Sequence, residues 1–95
     1  MGIFSIFSRK KTVDHNARRN FLLQNGRITD GRIVDGEIAR NGDEIVFYVY
    51  TLNGVDFESS EILTAEQRLS PAKYAPGAKV GVRYDPRNQG NSIIE

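Results

Sequence analysis

The chain has 95 residues, 39% of them hydrophobic and 26% charged, with a single histidine and no cysteine. That balance predicts one globular domain with a modest core, and it excludes disulfides, zinc ribbons and thiol catalysis. The net charge of +1 hides a split: residues 1–32 carry seven Lys/Arg against Asp14 and Asp30, a net of +5, so residues 33–95 sum to −4.

The first eleven residues, MGIFSIFSRKK, differ from all that follows. Ile3, Phe4, Ile6 and Phe7 abut Arg9, Lys10 and Lys11, an apolar cluster beside positive charge that suits contact with an anionic membrane surface or a partner. A myristoylation signal needs Ser or Thr at position 6, where this chain has Ile6. We therefore read residues 1–12 as a flexible basic and apolar arm, and residues 13–95 as a single β domain. No apolar run reaches the roughly 20 residues of a membrane-spanning helix, and no secretory start is evident. The expected location is the cytoplasm, with peripheral contact to the inner membrane through the arm.

A helix is expected at about 14–25. Asp14 is placed to cap it, Ala17 and Phe21 with Leu22 and Leu23 form its apolar side, and Arg18 and Arg19 face outward. Gly26 stands where a left-handed residue would close it. Strand patterns follow, at about 27–40, 43–52 and 55–63. In EIVFYVYTLNGVDFESSEI, Asn53-Gly54 is the preferred pair for a two-residue type I′ hairpin. It sets Leu52 opposite Val55, Tyr50 opposite Phe57 and Tyr48 opposite Ser59, placing Tyr48, Tyr50, Leu52, Val55 and Phe57 on one core face. Ile45, Phe47 and Val49 then form an uncovered apolar face on the other side, for which the helix or the arm is the obvious cover. A two-residue turn at Asn41-Gly42 would pair Ile38 with Ile45 and Val34 with Val49, and Gly31 and Gly36 suggest bulges.

Thr64 and Gln67 match a capping box, and Ser70-Pro71 starts a second short helical turn. In YAPGAKVGVRYDP, Val80, Val82 and Tyr84 alternate with Lys79, Gly81 and Arg83, the period of a half-buried strand. Pro76-Gly77 is the turn before it, with Asp85-Pro86 the break after it. Because the order is turn into strand, with no helix N-terminus, the segment is not a phosphate loop. A final strand is expected at Ser92–Glu95, after a loop at Arg87–Asn91.

These elements predict an all-β fold with one N-terminal helix and short helical turns. The expected architecture is a small antiparallel β-barrel or sandwich of about five strands, OB- or SH3-like in size. An open sheet with the helix across one face is the alternative. YVYTLNGVDFESS and YAPGAKVGVRYDPRNQGNSIIE also resemble a bacterial family of uncharacterised domains, the domain of unknown function 3592. The resemblance spans about residues 26–95. It is carried by Tyr48, Tyr50, Gly54, Phe57, Tyr74, Gly77, Val80, Val82, Tyr84, Asp85 and Pro86. It implies a fold and no activity, and members are often fused to membrane helices.

No nucleophile is paired with a base, since Ser59 and Ser60 have no sequence link to His15, and no carboxylate pair is singled out. The expectation is a non-enzymatic interaction module without a cofactor, metal or small-molecule substrate. Its partners would be a protein or a second copy, and an anionic membrane surface through the arm. The alternative is a single-stranded nucleic-acid-binding barrel that uses Tyr48, Tyr50 and Phe57 as a stacking platform. The acidic β portion argues against it.

Overall fold

A computed structural model describes residues 17–95; the arm, residues 1–12, and the expected helix start at Asp14 lie outside the described residues. Helix α1 occupies 17–25. Five strands follow: β1 (Arg27–Ile38), β2 (Glu44–Leu52), β3 (Val55–Ile62), β4 (Lys79–Asp85) and β5 (Asn88–Ile94). Two 3-10 turns, Gln67–Leu69 and Pro71–Tyr74, connect β3 to β4. All pairings are antiparallel, in the order β3-β2-β1-β4-β5, and the sheet curls until β3 and β5 approach each other, so the result is a nearly closed barrel.

The β2–β3 hairpin follows its turn chemistry. Asn53 and Gly54 both have positive φ, 52° and 80°, and Leu52 pairs with Val55, Tyr50 with Phe57 and Tyr48 with Ser59. Tyr50 and Phe57 stack with centroids 5.3 Å apart. The core joins Ile33, Val46, Tyr48, Tyr50, Leu52, Leu63, Val80, Val82 and Ile94, with Phe57, Tyr74 and Tyr84 packed partly against it. Val55 is exposed, although its partner Leu52 is buried.

The β1–β2 connection differs from the expected two-residue turn. Ala39 N–H bonds Asp43 O and Gly42 N–H bonds Ala39 O, so three residues form the loop, with Gly42 alone at positive φ. Asn41 side-chain atoms bond Asp43 at its backbone N–H and its carboxylate, which stabilises this three-residue loop. The register therefore places Glu37 opposite Ile45 and Arg32 opposite Val49, not Ile38 and Val34. The bulge also falls at neither glycine. Val34 is the extra residue between the Ile33–Tyr48 and Asp35–Phe47 pairs.

The Thr64–Gln67 capping box forms in both directions, at 2.8 and 3.1 Å. The next turn, Ala75–Ala78, has Gly77 at φ 92°, and its Ala78 N–H bonds Ala75 O. Gly77 N–H and Ala78 O bond the backbone of Ile33, so this turn docks directly on β1. Asp85 accepts a hydrogen bond from Arg87 N–H at 2.9 Å, tightening the β4–β5 turn. With Asp85 already paired to Asn88, β5 begins four residues before the expected Ser92.

The helix is rotated from its expected setting. Leu22 is fully buried while Phe21 and Leu23 are exposed, and Gly26 does not take a positive φ. Arg18 and Arg19 point inward to the gap between β3 and β5. Arg18 donates to Ser92 O at 2.7 Å, Asn91 Oδ1 at 3.3 Å and Glu61 Oε1 at 3.2 Å, and Arg19 donates to Ile94 O at 3.2 Å. Gln67 also reaches Ile94 O, at 3.2 Å. Side chains thus satisfy carbonyls that a β3–β5 ladder would otherwise take, as buried backbone acceptors require. From inside, Tyr48 Oη and Ser92 Oγ lie 2.8 Å apart, and Tyr50 O–H donates to Gln89 O at 2.6 Å. Both bonds tie β2 across the interior to β5.

Candidate functional site

Residues alternate between the two sides of a strand, so the core set of β2 leaves Ile45, Phe47, Val49 and Thr51 on its outer side. The three hydrophobics are half-buried. Their exposure follows from where α1 sits: its arginines draw it over β5 and the seam, away from the outer side of β2. The expected cover by the helix is therefore not found, and cover by the arm lies outside the described residues.

Register decides what borders this stripe. On β1, Glu37 lies opposite Ile45, Asp35 opposite Phe47 and Arg32 opposite Val49. On β3, Ile62 lies opposite Ile45, Ser60 opposite Phe47 and Glu58 opposite Val49. An apolar line one strand wide is thus flanked by Asp35 and Glu37 on one side and Glu58 on the other, with Asp56 opposite Thr51 beyond it. Among the described residues, neither Glu37 nor Glu58 has an ion-pair partner. The bulged Val34 adds an exposed hydrophobic beside Phe47, and Ile62 extends the patch across β3. Two shallow open depressions run along this side. One of about 380 Å³ is lined by Val34, Phe47, Glu58 and Ser60, and one of about 420 Å³ by Asp30, Arg32, Val49 and Lys79.

The other aromatic set is closed to ligands. Tyr48 and Tyr50 are 0% and 3% exposed, so they offer no stacking platform. Burial pushes both phenols above their ordinary pKa, because the phenolate would lose its hydration. Ser59 lies opposite Tyr48 and Ser60 opposite Phe47, so the two serines face opposite sides of β3. His15 lies outside the described residues. Among the described residues no three His, Cys, Asp or Glu side chains converge as metal ligands, and no helix is long and apolar enough to cross a membrane.

The structure therefore assembles Ile45, Phe47 and Val49 on one surface, while Ile3, Phe4, Ile6, Phe7, Arg9, Lys10 and Lys11 lie outside the described residues. Sequence reading located the stripe but not its acidic border on β1, since a bulge at Val34 with no glycine carries no turn signal. A family model for a domain of unknown function (DUF3592) matches residues 24–95. Searches of curated proteins and of solved structures give no match.

Proposed function

Because the chain belongs to the DUF3592 family, whose description assigns no activity, we propose its function from its own surface: a non-enzymatic interaction module. Its binding surface is the outer side of β2, and its arm touches the cytoplasmic side of an anionic membrane. The observation that carries this reading is the half-buried line of Ile45, Phe47 and Val49 on the outer side of β2, opposite the side that forms the core. Contiguous exposed hydrophobics rimmed by charge mark interaction sites more often than scattered ones do. The membrane clause is supported by the basic, apolar composition of residues 3–11.

Each clause has its own test. A photo-crosslinking residue at Phe47, expressed in cells, is expected to form adducts with another protein, while one at the exposed Lys73 is not. No intermolecular adduct at Phe47 rejects the binding surface. For the membrane, vesicles of mixed phosphatidylglycerol and phosphatidylcholine are titrated into labelled protein. Unchanged Phe4 and Phe7 resonances reject that clause without touching the first.

A further inference from the structure

We infer that the outer side of β2 is a docking site for this chain's own residues 3–11, with Ile3, Phe4, Ile6 and Phe7 on the hydrophobic line and Arg9, Lys10 and Lys11 against its acidic border. The inference goes beyond the interaction-module reading, with the arm occupying this surface until a partner or a membrane displaces it, and it does not require the membrane clause.

Three observations carry it. The first is complementarity. The surface offers Ile45, Phe47, Val49 and Val34 bordered by Asp35, Glu37 and Glu58, and the arm offers four hydrophobics followed by three cations. Arg32 is the one cation directly in this border, so its balance is acidic.

The second is reach. Arg18, in the first described turn of α1, bonds Glu61 on β3, and Glu61 pairs with Val46, the residue between Ile45 and Phe47. The described part of α1 thus starts beside β3, near the level of the hydrophobic line. Five residues separate Lys11 from Ala17; fully extended they span roughly 16–18 Å at about 3.3–3.6 Å each, and with 14–16 helical at about 1.5 Å each, as the sequence predicts, about 11 Å. Adjacent strands are only about 4.8 Å apart, so passing over β3 to β2 is well within that span.

The third is tethering. A segment joined by a short linker faces its site at an effective concentration on the order of millimolar. A contact too weak to hold a free peptide is then occupied for much of the time. Ion pairs at the rim add orientation and salt dependence more than affinity.

The absence of cysteine makes the test direct. A nitroxide on Ser5→Cys in the full-length chain is read through the backbone amide resonances. Broadening strongest at residues 45–49 and 58–62 is the expected result. The Asp35→Lys and Glu58→Lys double variant, changed only at exposed positions, is expected to lose most of that broadening. A rise from about 0.01 to 1 M salt, which shortens the screening length from about 30 to 3 Å, is expected to reduce the broadening in part, because the hydrophobic contacts remain. Broadening confined to residues 17–25 overturns the inference. Broadening of an isotope-labelled, spin-free chain mixed with a spin-labelled, isotope-free one also overturns it, by making a second copy the occupant.

Discussion

Replacing Arg18 with alanine tests how the barrel is closed. The guanidinium spans the β3–β5 seam, donating to Ser92 O at 2.7 Å, to Asn91 Oδ1 at 3.3 Å and to Glu61 Oε1 at 3.2 Å. Its side chain is 32% exposed and that of Glu61 is 1% exposed, so this ion pair is shielded from water mainly on the glutamate side. Charged hydrogen bonds contribute about 1.5–3 kcal/mol each when buried. Solvent reaches part of this arginine, and the 3.3 Å contact is long, so the total loss is about 2–4 kcal/mol. A domain of this size is stable by roughly 5–14 kcal/mol, so the loss is a large share of the whole.

Thermal unfolding followed by circular dichroism is expected to show a midpoint lowered by roughly 10–30 °C, at about 4–8 °C per kcal/mol for small domains. Native-state hydrogen exchange supplies the spatial readout. Protection should fall first in β5, which the arginine holds, and later in β2, which lies between two paired strands. Arg18→Lys keeps the charge but lacks the planar fork, so it should recover less than half of the loss. A stability within about 0.5 kcal/mol of the parent, with β5 protection unchanged, would refute the reasoning. The tyrosine hydroxyls and core packing would then suffice to close the seam.

Other outcomes follow from the same coordinates. A Cβ at Gly31 would lie 2.5 Å from Val82 Cγ2 and 3.0 Å from Val49 O, so Gly31→Ala should cost about 1–3 kcal/mol in chemical denaturation. A cost below that range would show that β4 can shift away from β1. Gly54 has open space around its Cα but a φ of 80°, so Gly54→Val should destabilise through backbone strain alone, by about 1–2 kcal/mol. Gly54→Asn should restore most of it, as measured by the same denaturation curves. Tyr48 and Tyr50 keep their protons in the folded state after an unfolded chain has begun to lose them, near about pH 10. The unfolded state then binds fewer protons, so stability is full below that pH and falls as pH rises through it. Phenolate absorbance should accordingly show a late component that coincides with unfolding and shrinks in Tyr48→Phe.

Where the physics is short-ranged, the sequence determined the structure by itself. Asn53-Gly54 dictates a turn that only positive-φ residues fit, and that turn alone sets every pair from Leu52–Val55 back to Ile45–Ile62. The alternation of Val80, Val82 and Tyr84 identified β4 and its inward side, and Thr64 with Gln67 formed the expected cap. That is also why Ile45, Phe47 and Val49 could be found as an outward line before any fold was known.

The tertiary structure decided what depends on distant segments. The loop at Asn41-Gly42 and the bulge at Val34 adjust β1 to two neighbours at once, since β1 pairs with both β2 and β4. No local pattern encodes that compromise, yet it is what brings Asp35 and Glu37 alongside the hydrophobic line. The helix shows the same limit. Its periodicity allowed either Ala17 and Phe21 or Arg18 and Leu22 to face the domain, and hydrophobicity favoured the first. The second prevailed because Arg18 and Arg19 donate to carbonyls on β5, more than seventy residues away in the chain.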